Sequence, residues 1–369
     1  MMMQPSQRGF TLIELMVGVA LGLLATVVIA TVLLQSEGNK RTTTSGADAQ
    51  VMGAAALFTL QRDIQQAGYG VTSVPGSLGC PLAGSFDSNV VLNPAVDRLA
   101  PVVIDFGATA DSDTITVMAS GKAGSSVPIN LAAPHAQIDS TFTVASNFGV
   151  RVNDLLLAVP ATWDASNGCG LFMATAATPT NEVPHAATSK WNISSAIFPS
   201  TGYAAGSRLV NLGAAPVRRR YTVNPATWSL QMQDTMAITA AGKVRAPQDM
   251  FSQIVLVKAL YGKAAVPGGP VTSYSKDTPT TDAGWRLVRS VRVAVVARSN
   301  QYEKTEVTTD PPQWEVGALA AGTVACRGKA GSLCLPLTVS ASGPSDEWKH
   351  YRYKIFDTVV PLRNVVWNP

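Results

Sequence analysis

The chain has 369 residues, of which 14% are charged, and a net charge of only +4; average globular proteins carry about 25% charged residues. So weak a global field excludes a protein that coats nucleic acid by charge alone. Ser, Thr, Ala and Gly stand where a cytosolic enzyme carries charges, which fits an extracellular subunit packed against neighbours better.

The first predicted element is a membrane span. Leu15–Leu34 is uncharged over twenty residues, enough at ~1.5 Å per residue to cross a hydrocarbon core of about 30 Å. It is too long for a secretory h-region. Arg8 before it and the polar chain after it favour a cytoplasmic N-terminus, although Lys40 and Arg41 on the far side count against that orientation. Glu14 sits at the start of the span, where an ionised carboxylate costs several kcal/mol unless it finds a partner or snorkels to the headgroups. Gly18 and Gly22 form a small-xxx-small pair on one helix face.

From Gln35 to Gln50 the chain is polar and contains Gly38, Gly46 and Thr42–Thr44, so a bend or frayed turn is expected there. Apolar positions then return at spacings of three and four through Val51, Ala54, Leu57, Leu60 or Phe58, Ile64 and Ala67, and Gly68 is a natural stop. The whole reads as one long helix, half in the membrane and half laid on a globular domain.

Residues 70–369 hold many short β-type runs between Gly, Pro, Asn and Asp. Predicted strands include Thr114–Met118, Arg218–Val223, Thr227–Met232, Ile254–Tyr261, Leu287–Ala297 and Ile355–Val360, with Pro361–Trp367 closing the chain. Asn224-Pro225-Ala226 predicts a hairpin. Val291, Val293 and Val295 alternate with Arg292 and Ala294 along one strand. Val266–Pro279 and Pro179–Ser189 read as loops, and no internal repeat is seen. The expected class is α+β: an antiparallel sheet on a helix, enlarged by an insertion or divided into two subdomains. Residues 80–250 match no recognisable pattern.

Cys80, Cys169, Cys326 and Cys334 are even in number and lie outside the cytoplasm in this topology, so disulfides are expected. Of three connectivities, Cys326–Cys334 and Cys80–Cys169 are favoured; loop entropy assigns them on the order of 2.5 and 4.5 kcal/mol. No His lies beside these cysteines and no C-x-x-C occurs, which argues against metal.

No catalytic constellation emerges, so neither an enzyme nor a cofactor is expected. His135, His185 and His350 lie far apart in sequence, and His350 reads as a strand-surface residue. Gly121–Ser126 fails the phosphate-loop template, and Gly68-Tyr69-Gly70 is no dinucleotide fingerprint. Arg218, Arg219 and Arg220 are the densest basic cluster, with Tyr221 and Trp228 near in sequence. They form either a DNA or partner patch or, the favoured reading, a solvated strand edge guarded by charge. Arg289, Arg292 and Arg298 read as an exposed stripe or a subunit-contact face.

The segment Gly9-Phe10-Thr11-Leu12-Ile13-Glu14 resembles the processing site of the type IV pilins. Leu60–Gly70, Leu287–Ser299 and Tyr351–Asn364 further resemble PilW-like minor pilins. That resemblance implies cleavage between Gly9 and Phe10 by a prepilin peptidase, methylation of the new Phe10 amine, and pairing of Glu14 with a neighbour's N-terminus. It implies a leader (residues 1–9), a transmembrane half-helix (10–34), a periplasmic amphipathic half-helix (35–68) and a β-rich periplasmic or extracellular domain (69–369). The implied fold is pilin-like, and the implied function is a minor pilin priming pilus assembly in a tip complex. Implied partners are other minor pilins, the major pilin, the assembly machinery and the bacterial inner membrane. A type II secretion minor pseudopilin and a pilus-tip adhesin or DNA-binding subunit are the alternatives.

Overall fold

The computed structural model describes residues 9–74, 76–108, 111–122, 127–176, 181–193, 197–320, 322–339 and 346–366. The leader before Gly9, residues 123–126 of the glycine-containing loop, the start of the Pro179 loop and Trp367 lie outside them.

One helix, Leu12–Gln66, runs unbroken for 55 residues, roughly 80 Å. The bend expected between Gln35 and Gln50 is not there. Gly and Thr each cost up to about 1 kcal/mol in a helix interior, but a helix nucleated on both sides propagates through them. Thr26 and Thr31 return their hydroxyls to the carbonyls of Leu23 and Val28, both at 2.8 Å, which leaves no hydroxyl unsatisfied on the apolar half.

The C-terminal half of this helix is held between two antiparallel sheets. The first has strand order Val271–Ser275, Ile254–Ala264, Val288–Arg298, Tyr353–Pro361. Its alternation works as the sequence suggests. Val291, Val293 and Val295 join Ala49, Ala56, Leu60 and Ile64 of the helix in one core. Ala294 and Val296 face the other way, onto Trp314, Leu335, Leu337 and Trp348. Burial on both faces accounts for the near-continuous apolar run of this strand. The second sheet has the order Gln248–Ser252, Ser229–Asp234, Val217–Asn224, Thr114–Ala119, Val102–Asp105. It sends Ile104, Ile115, Val117, Tyr221 and Leu230 into the same core.

A third sheet occupies the stretch without recognisable pattern: Asn89–Leu92, Leu82–Phe86, Cys169–Met173, Leu155–Val159, Arg208–Gly213, Ile129–Asn130. Leu82 and Ala83 pair in parallel with Cys169 and Gly170, so the domain is not wholly antiparallel. One face carries an aromatic cluster of Phe142, Phe172, Phe198 and Tyr203. At the C-terminus the expected extended run ends at Pro361, and Arg363–Val366 is a short helix. Proline has no N–H with which to continue a ladder. The class is α+β, a long N-terminal helix against mainly antiparallel sheet.

Candidate assembly site

The N-terminal end of the helix is built by its first residues. Gly9 and Phe10 precede the helix and are exposed. Thr11 is the N-cap: its hydroxyl accepts from the Glu14 amide at 3.3 Å, and Glu14 Oε2 accepts from the Thr11 amide at 3.4 Å and from its hydroxyl at 3.2 Å. This capping box satisfies two otherwise orphaned donors and sets a negative charge at the positive end of the helix dipole. Glu14 is therefore engaged within its own chain. From Leu12 to Glu37 the helix is apolar enough to span a membrane, and none of it is covered by protein. Monomeric soluble proteins do not leave such a patch bare.

The other end is fastened to the head by polar bonds. Asp63, buried on the helix, accepts from Arg219 Nη1 at 2.7 Å and from the Tyr221 hydroxyl at 2.5 Å. The hydrogen bond to Asp63 holds the Arg219 guanidinium above its ordinary pKa; burial, then Asp63, push the Tyr221 phenol up. Asn364 Nδ2 donates to the Gln66 and Ala67 carbonyls at 3.2 and 3.0 Å, capping two of the carbonyls a helix end leaves open. Ten residues before Asp63, Gly53 lies against the Phe356 ring; a Cβ there would stand 2.2 Å from the ring edge. Only glycine admits this approach, which brings helix and sheet together.

The basic triplet is not a surface patch. Its strand is third of five in its sheet rather than an edge. Arg218 is 4% exposed and ion-pairs with Asp97, donating also to Thr235 Oγ1 at 3.0 Å. Burial pulls its pKa down and Asp97 opposes that. Arg219 is turned to Asp63, and Arg220 stands 3.9 Å from Asp97. Nor do Arg289, Arg292 and Arg298 form an exposed stripe. Arg289 and Arg298 are buried. Arg292 lies over Tyr274 and Trp314 and pairs with Asp357 at 3.0 Å, while Arg298 sits between Trp228 and Tyr351. Three of these six arginines, Arg218, Arg289 and Arg298, are thus buried.

The cysteines pair as Cys80–Cys169 and Cys326–Cys334, with Cα separations of 6.0 and 5.1 Å. No cluster of three or more metal-ligating side chains occurs among the described residues. Lys122 is tied to Asp154 at 2.6 Å. His135 and His185, far apart in sequence, meet in the aromatic cluster with their Nε2 atoms 2.8 Å apart. His350 lies in a 3₁₀ turn, not on a strand, stacked on Tyr302. Neither the Asp63 lock nor the histidine pair has a local sequence signal.

Residues 4–30 match the prokaryotic N-terminal methylation motif. Residues 217–364 match PilW, the type IV pilus-assembly protein W family, and so include Arg219, Tyr221, Phe356 and Asn364. Among solved structures, a type IV-like pilin, TTHA1219 from Thermus thermophilus, matches at 12% identity and a TM-score of 0.31, covering 86% of this chain and 96% of that one. No curated protein matches.

Proposed function

We infer that this chain, with its N-terminal methylation motif and PilW match, is a PilW-like minor pilin of the type IV pilin superfamily that primes pilus assembly within a tip complex. The observation that carries this reading is a bare membrane-length helix headed by the methylation motif and one carboxylate, Glu14. In the proposed scheme residues 1–9 are a leader, cleavage after Gly9 frees the Phe10 amine, and methylation leaves that amine able to carry charge. The chain waits in the inner membrane with Glu14 in its own capping box. On assembly, a neighbouring subunit's N-terminal ammonium replaces the Thr11 contacts and neutralises Glu14 within the apolar bundle. Removing one partner of such a buried pair costs about 3–5 kcal/mol, enough to set the axial register of subunits. The head domain rides on the helix through the Asp63, Gly53 and Asn364 contacts and docks against other minor pilins.

The interior placement of Arg218 supports the assembly reading over a DNA-binding one, because the triplet offers phosphates little free charge. The test is complementation of a strain lacking this chain. Glu14→Gln should leave processing intact and reduce surface pili at least tenfold, whereas wild-type pili from that variant would refute the role of the carboxylate.

A further inference from the structure

Among the described residues most arginines have an internal partner, and Arg62 and Arg363 are two that do not. Where the anchor helix ends, Arg62, Arg219 and Arg363 line one open cleft of about 440 Å³, with Gln66, Tyr69 and Ser120. Asp63 is the only acidic residue of its lining, and Arg219 and Tyr221 already hold it. Arg62 and Arg363 are exposed and have no side-chain partner among the described residues. The cleft therefore carries a net two positive charges with two guanidiniums unengaged. Arginine's planar fork suits carboxylate recognition.

Position narrows the ligand. Arg62 lies 25 residues beyond Glu37, where the apolar span ends, which is roughly 38 Å along the helix axis. That is several Debye lengths from lipid headgroups at physiological salt, so the membrane does not supply the anion. The cleft instead closes a stripe along the helix. Val51, Ala54, Phe58 and Arg62 follow at spacings of three, four and four, on the side opposite Ala56, Leu60 and Ile64. Val51 and Phe58 are 62% and 65% exposed. The same helix carries the bare span Leu12–Glu37, so a neighbouring subunit laid along it would meet both.

We propose that the cleft receives a carboxylate from an acidic helical segment of another pilin-class subunit, whose apolar side packs on Val51 and Phe58. The inference rests on the pilin reading above and adds to it a second polar contact, at the head end of the helix, opposite in sign to the one at Glu14. The first contact places a neighbour's cation on this chain's acid; the second places a neighbour's acid on this chain's arginines.

The experiment uses the full chain in nonionic detergent. The probes are three labelled amphipathic helical peptides that share one Leu/Ala face and carry two Glu, two Gln or two Lys one turn apart on the other. The Glu peptide should bind at least tenfold more tightly than the Gln twin, with affinity falling as salt rises. In R62E/R363E the preference should reverse to the Lys peptide, an outcome that a misfolded variant could not give. Equal binding of the Glu and Gln twins, or a Glu preference surviving R62E/R363E, overturns the proposal. Full displacement of the Glu peptide by millimolar inorganic phosphate, at matched ionic strength, reassigns the cleft to a free anion and overturns it too. Prepilin-peptidase cleavage of the same variants is measured alongside. Intact cleavage with no peptide selectivity refutes the cleft alone, while absent cleavage refutes the pilin reading.

Discussion

Acidification should loosen the third sheet through the histidine pair, and the size of the effect follows from burial. His135 and His185 are 2% and 5% exposed, with Nε2 atoms 2.8 Å apart among Phe142, Phe172, Phe198 and Tyr203. One ring must donate to the other, so the pair is stable with both rings neutral, and the buried Nδ1 of His135 has no partner. Burial lowers both pKa values, that of His185 to about 4 with His135 as the second cause. A folded pKa below the unfolded 6.5 contributes stability in full above pH 6.5 and loses it as pH falls towards 4. For His185 alone, the loss between pH 7.5 and pH 5 is about 2 kcal/mol. Asp154, held below the ordinary carboxylate value by Lys122, Asn211 and the Arg151 amide against the pull of burial, titrates under that window. Urea unfolding of the oxidised full chain in nonionic detergent at the two pH values measures the difference. His185→Gln keeps a hydrogen-bonding group and removes the titration, so the pH-dependent loss should fall to less than half. A wild-type chain equally stable at both pH values, or a variant retaining the full loss, would refute the reasoning.

Other perturbations act on the helix–head joint and the staples. Asp63→Asn withdraws the charge that Arg219 and Tyr221 share and should cost about 2–4 kcal/mol, the lower end applying because Arg219 reaches solvent; hydrogen exchange should rise in residues 60–67 before the rest of the helix. Gly53→Val pushes a side chain into Phe356 and should cost about 1–3 kcal/mol, with Phe356→Ala in the same chain recovering part of the lost melting temperature. Replacing Cys80 and Cys169 by Ala should destabilise more than replacing Cys326 and Cys334, because the loops closed span 89 and 8 residues; the reverse order in paired thermal melts would refute the entropic account.

What the sequence made readable was local. The membrane span and the Val291–Val295 alternation each lie within one element, where a period or a short spacing carries the information. The two disulfides were within reach because four cysteines leave three connectivities. The Asp63–Arg219 lock joins residues 156 apart and the histidine pair joins residues 50 apart, and neither has a periodic signature. Arg218, Arg289 and Arg298 are buried although their sequence context points to the surface, and the reason is physical. Arginine is ordinarily exposed, and only knowledge of where Asp97, Gln253 and the aromatic faces fold places it inside. The third sheet is hard to read because its strands are short and three of its five pairings, one of them parallel, join segments distant in sequence.

The most direct measurement is intact mass and N-terminal sequencing of the chain recovered from membranes, with and without a prepilin peptidase. Processing as a pilin gives an N-methylated chain beginning at Phe10, found only when the peptidase is present. A chain that still begins at Met1 with the peptidase present would make the Gly9–Glu14 segment an ordinary membrane anchor and contradict the assembly mechanism built on it.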